Sequence, residues 1–136
     1  MTYALSQALQ SAVYAELVAD PGLTSILGTD IYDALPPGVL PSIYALIGPE
    51  TVRDRSDMTG RGADHDFTVS IVTDGAGFAT AKAAAGAVSD ALSDAELGLS
   101  RGRLVGLRFV KATAARRGTG EQRQITLTFR ARVEDS

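Results

Sequence analysis

The triplet Asp64-His65-Asp66 sets the only histidine of this sequence between two carboxylates. Three such groups around a cation could make a hydrolytic centre, with the imidazole as ligand or general base. The spacing works against that chemistry. His65, Phe67, Val69 and Ile71 alternate with Asp66, Thr68, Ser70 and Val72, the period of a half-buried strand. Neighbours in a strand point to opposite faces, so Asp64 and Asp66 turn away from His65 unless a bulge intervenes. The plainer reading is a strand entry with solvated carboxylates, and no metal is expected.

Two glycine pairs invite a phosphate. Gly60-Arg61-Gly62 has no strand-to-helix junction after it and no Gly-Lys-Ser/Thr ending, so it lacks the context of a nucleotide cradle. Gly75-Ala76-Gly77 does follow a strand and open a helix, but the third glycine of a dinucleotide fingerprint is missing, and an ordinary strand-to-helix turn accounts for it. One histidine without a Gly-x-Ser-x-Gly elbow gives no serine triad. Cysteine is absent, which removes thiolate chemistry, disulfides and thiolate metal sites. No catalytic residue and no cofactor are expected, and the chain reads as a non-enzyme.

Two groups of arginines remain. Arg53, Arg55 and Arg61 lie with Asp57 and Asp64 in or beside the run Asp54 to Asp64, and Arg116 with Arg117 precedes Glu121 in the run Ala114 to Glu121. Apolar residues thin out in both runs, so both read as loops, the first a mobile charged one linking two strands. They are either solvated charge, worth little to stability, or segments that order against a partner, exchanging ion pairs across a subunit boundary or brushing DNA phosphates. A long glycine-containing loop in so small a chain favours a functional use.

The elements that would position these groups follow from periodicity. Leu5, Leu9, Val13 and Leu17 recur every fourth residue between Thr2 and Ala19, which makes an amphipathic helix. Asp20-Pro21-Gly22 stops it, and Leu23 to Leu27 reads as one further helical turn. Strands are expected at Ile31 to Leu35, ended by Pro36-Pro37-Gly38, and at Ser42 to Ile47, the latter continuing to Arg53 past a bend at Gly48-Pro49. The strand through His65 ends at Asp74-Gly75. Phe78, Ala81, Ala85, Val88 and Leu92 define a second main helix between Gly77 and Glu96, and its alanine stripe allows close approach to a sheet or to another copy. Strands at Leu104 to Ala112 and Gln124 to Val133 complete the chain.

This order predicts an α+β domain, residues 1–136, with a largely antiparallel sheet and two main helices on one face. The open sheet face, rich in threonine and arginine, suits a subunit that packs beside copies of itself. With 136 residues, 45% hydrophobic and 21% charged, a single core is expected. The net charge of −3 gives no overall attraction to phosphates, so tight DNA binding is not expected to be its main task. No apolar run approaches the roughly 20 residues of a membrane span, and no export signal is read at Met1 to Ala4.

Three stretches resemble the tail terminator, or tail completion, family of long-tailed phages and gene transfer agents. They are the helix Leu5-x-x-x-Leu9-x-x-x-Val13 leading to Ile31-Tyr32-Asp33-Ala34-Leu35-Pro36, the strand Pro41-Ser42-Ile43-Tyr44-Ala45-Leu46-Ile47-Gly48, and the block His65 to Thr73 followed by Gly77 and the helix through Ala91-Leu92. The likeness spans nearly the whole chain as hydrophobic pattern. The alanine-rich helix and small size resemble gene transfer agent versions in particular. The resemblance implies a hexameric ring at the head-tail junction of a virion or phage-like particle, assembled in the bacterial cytoplasm. Such a ring caps the tail tube protein, ends its polymerisation and meets the head stopper or connector, while DNA passes through the lumen. Arg53, Arg55, Asp57, Arg61, Asp64, Arg116, Arg117 and Glu121 would then face the tube or a neighbouring subunit. The alternatives are a head-closure or minor tail protein, a small ligand-binding regulatory domain using the turn at Gly75 to Gly77, and a metal-dependent nuclease centred on His65.

Overall fold

Leu9, Val13 and Leu17 are almost wholly buried along one side of α1 (Ser6–Ala19), the stripe the fourfold spacing calls for. The computed structural model describes residues 3–58, 60–75, 78–118 and 122–135. The helix starts at Ser6, later than expected, after a turn closed by the Ser6 amide on the Tyr3 carbonyl. Asp20 ends it in extended backbone, and its carboxylate accepts the Leu23 amide at 2.9 Å, capping α2 (Pro21–Leu27). Asp20-Pro21-Gly22 therefore stops one helix and starts the next, since proline at the first helical position gives up no bond.

The strand expected at Ile31 to Leu35 is only β1 (Ile31–Tyr32). Residues 33–42 then form no regular element, as a segment with Pro36, Pro37 and Pro41 must lose ladder donors. β2 (Ile43–Asp54) bends between Ile47 and Glu50, at the expected Gly48-Pro49. A Cβ on Gly48 would lie 2.7 Å from the Thr68 hydroxyl, which donates to the Pro49 carbonyl, so a larger residue at this bulge would push that hydroxyl off its acceptor. β3 (Arg61–Thr73), α3 (Ala79–Leu92), β4 (Arg103–Arg116) and β5 (Arg123–Asp135) follow.

The sheet runs β1-β2-β3-β5-β4, with β5 inserted between β3 and β4. It is mixed rather than purely antiparallel, because β1 lies parallel to β2 while every other pair is antiparallel. β3 and β5 pair without interruption from Arg61↔Asp135 to Thr73↔Arg123. β4 pairs β5 with two irregularities, between Leu104 and Gly106 and between Phe109 and Lys111.

One core unites α1, α2 and α3 with one sheet face, through Val13, Leu27, Val88, Val69, Leu127 and Phe129 among others. Phe129 stacks on Phe67 and meets the edge of Phe109. A smaller cluster of Leu5, Ala63 and Val133 sits where α1 begins. Gly102, at φ +68, leads into β4 there, and a Cβ would press on Leu5 and come 2.6 Å from the Glu134 carbonyl. Among the described residues no helix is long and apolar enough to cross a membrane.

The two expected loops are shorter than read, because strand takes both margins of the first and the opening residues of the second. β2 reaches Asp54 and β3 begins at Arg61, and the Arg55 and Asp57 amides still bond the Gly62 and Gly60 carbonyls. The apolar signal fades there because the inward residue before His65 is the small Ala63, while Gly62 on the other face is buried and a Cβ on it would meet the Arg55 carbonyl at 2.9 Å. Likewise β4 continues through Ala114 and Ala115 to Arg116. Glu121, with Thr119 and Gly120, lies outside the described residues.

Candidate assembly surfaces

His65 has no exposed surface. Its Nδ1 donates a long bond to Glu50 Oε2 at 3.4 Å, and its Nε2 has no protein partner among the described residues. The other Glu50 oxygen accepts from the Tyr3 hydroxyl at 2.6 Å and from the Ser6 hydroxyl. Partial burial pushes the Glu50 carboxyl up, but the hydrogen bonds from Ser6, Tyr3 and His65 outweigh it and leave the group below its ordinary value. This group ties the start of α1 to the bulge of β2. The partner of His65 is thus fifteen residues away in sequence, and neither flanking acid converges on it.

Asp64 and Asp66 point to the opposite face and are ion-paired rather than solvated. Arg130 holds Asp66 with two bonds of 2.7 and 2.9 Å, and Arg53 adds a third at 3.2 Å, so three adjacent strands are bridged by one carboxylate. Arg130, opposed by partial burial, draws Asp66 below the usual carboxylate range, and Asp66 raises Arg130 in turn. Arg55 donates to Asp64 at 2.9 Å, and Asp64 is buried. Fork-shaped pairing of this kind is both directional and strong.

The expected interface residues therefore do not form one patch. Arg53, Arg55 and Asp64 belong to the network at the β2–β3 end of the sheet. Asp57 caps the Gly60 amide at 2.8 Å, and Arg61 is exposed at the start of β3. Arg116 and Arg117 lie at the far end, where Arg116 faces Arg123 and Arg117 reaches the Tyr44 hydroxyl at 3.5 Å. The thirteen residues of β3, at about 3.3 Å each, separate these ends by roughly 40 Å.

Register brings forward residues that sequence reasoning did not single out. Arg108, Arg130 and Arg132 occupy adjacent outward positions of β4 and β5 and, with Arg55, Asp64 and Asp94, line a groove of about 510 Å³. Their only sequence signal is the crowding of nine lysines and arginines against one glutamate in residues 101–132, whereas residues 1–52 hold neither lysine nor arginine. At the turn before α3, the Gly75 amide donates to Thr73 and its carbonyl accepts from Arg123. Ala76 and Gly77 lie outside the described residues.

Val39 and Met58 are fully exposed, and Leu35, Val105 and Phe109 are about two-fifths exposed. Together with two charged ends and an open, arginine-rich sheet face, these are features of a protein that binds other proteins over several surfaces. No curated protein matches the chain significantly. A solved structure described as the virion of a native gene transfer agent particle contains a chain that is 59% identical, with a TM-score of 0.94, over 98% of this chain and 99% of that one. The family model for tail completion protein gp17 matches residues 11–134. This chain is therefore a structural tail protein and belongs to the tail completion protein gp17 family.

Proposed function

We propose that the chain forms a closed, hexameric ring on the end of the tail tube of a gene transfer agent or phage-like particle. There it ends tube polymerisation and joins the tube to the head connector, with DNA passing through its lumen. The observation that carries this reading is the 59% identity over nearly the full length to a chain of a gene transfer agent virion. The geometry supports it. A sheet some 40 Å long with Arg61 at one end and Arg116 and Arg117 at the other can engage a different partner above and below. Its two sheet edges differ, as a head-to-tail ring requires. An overall charge of −3 suits a lumen that lets DNA slide rather than holding it.

The test is light scattering of the purified chain over a concentration series, negative-stain imaging of any large species, and complementation of particles lacking this protein. The expected result is closed rings, and tails of normal length joined to heads only when the protein is supplied. Arg61→Glu should give overlong or unattached tails while leaving the internal pairs of Arg53 and Arg55 intact. Normal particles assembled without the protein would overturn the reading.

A further inference from the structure

The two edges of the sheet carry complementary shapes. Beyond β1, the segment Leu35-Pro36-Pro37-Gly38-Val39-Leu40-Pro41 stands out from the body, with Val39 fully exposed and Leu35 41% exposed. Gly38, at φ +93, turns its tip, and nothing lies within 4 Å of where its Cβ would be. Three prolines stiffen it, so docking it would cost less conformational entropy than docking a flexible loop. At the opposite edge, β4 extends past the helical layer. Between it and α3 lies an apolar groove of about 290 Å³, walled by Phe109, Ala112 and Ala114 and by Ala85 and Gly86, with Leu127 in its floor. A Cβ on Gly86 would meet nothing within 4 Å, so the groove is open along the helix. Its size, near the lower end for ligand pockets, suits a few aliphatic side chains.

We infer that the finger of one copy, led by Val39, docks in the α3–β4 groove of the next copy. This rests on the ring reading above and names its contact. Finger and groove sit on opposite edges of a five-stranded sheet, about 19 Å apart at about 4.8 Å per strand step, so a copy does not fill its own groove. Each copy offers one finger and one groove, which makes the contact heterologous and lets it repeat around a ring. Charge agrees with the pairing. The finger follows exposed Asp33, in a part of the chain free of lysine and arginine, whereas exposed Lys82 lines the groove and exposed Arg116 lies further along β4 on the face of Ala112 and Ala114. A second copy is thus matched in both apolar shape and sign, and rim charges of this kind set orientation.

The absence of native cysteine allows a direct test. The chain carrying both Val39→Cys and Ala112→Cys is oxidised, as purified protein and within assembled particles, beside each single variant. The expected result is a ladder of covalent multimers from the double variant and from a mixture of the two singles a covalent dimer, with neither single variant linking alone. Gly86→Leu, which fills the groove from a site with free space, should weaken self-association by roughly tenfold or more without lowering the thermal midpoint of the monomer. The contact is overturned if both preparations stay unlinked, or if Val39→Asp and Gly86→Leu self-associate like the parent. Rings that still form and still complete tails under those outcomes would leave the ring reading intact and discard only this interface.

Discussion

Asp66→Asn keeps the shape of a side chain while deleting the charge that Arg53 and Arg130 share. The Arg130 fork is the larger part of the effect, since the Arg130 and Asp66 side chains are only 26% and 18% exposed. Hydrogen bonds to charged groups contribute roughly 1.5–3 kcal/mol. Arg53 is 57% exposed, so its pair adds at most about 1 kcal/mol. A net loss of about 2 kcal/mol follows, as the asparagine retains part of the hydrogen bonding, which for a chain of this size lowers the melting midpoint by roughly 6–8 °C. The pH dependence has a definite sign. Asp66 ionises more readily in the folded state than in the unfolded one, so its contribution is full above its unfolded pKa near 4 and disappears as pH falls through the lower folded value. Urea unfolding of parent and variant at pH about 7 and at stepwise lower pH should show two stabilities that differ near neutrality and converge in acid. A difference below about 0.5 kcal/mol near neutrality, or one undiminished in acid, would refute the assignment of this bridge as a strand clamp.

Two further substitutions probe backbone and core. Gly102→Ala should cost roughly 2 kcal/mol or more, because it adds αL strain to a collision with Leu5 and the Glu134 carbonyl; an unchanged urea midpoint would show that the β4 entry can shift. His65→Leu removes a buried nitrogen without a protein partner among the described residues and only a long bond to Glu50, so a gain of about 1 kcal/mol is expected, and a loss of that size in calorimetry would reveal a missing hydrogen-bond partner.

The fold was legible where side-chain size and polarity alternate strongly. The Leu9-Val13-Leu17 stripe and the Phe67-Val69-Ile71 alternation are found where expected, with His65 continuing the latter inward. Legibility failed at strand ends built from small residues, Gly62 with Ala63 and Ala114 with Ala115, because small side chains carry little hydropathy signal even when a strand partner places them. Asp64 and Asp66 looked solvated for a related reason. Their arginines come from β2 and β5, and only the register of three strands brings Arg53 and Arg130 to one carboxylate. The layout of the arginines and acids singled out in the sequence was not legible. Arg55 and Asp64 turn out to satisfy each other, whereas Arg108 and Arg132 gain their importance from sitting side by side across β4 and β5.

The two irregularities in β4 bear on the life of the protein before it finds its place. A fourteen-residue outer strand with exposed Val105 and Phe109 is ordinarily a template on which other chains polymerise into fibrils. Here the bulges put successive backbone groups out of step with any straight strand, the Asp94 amide already occupies the Leu107 carbonyl, and Arg103, Arg108, Lys111 and Arg116 repeat charge along the margin. The outer margin of β4 is therefore a poor template for a further strand, even though it shows apolar side chains.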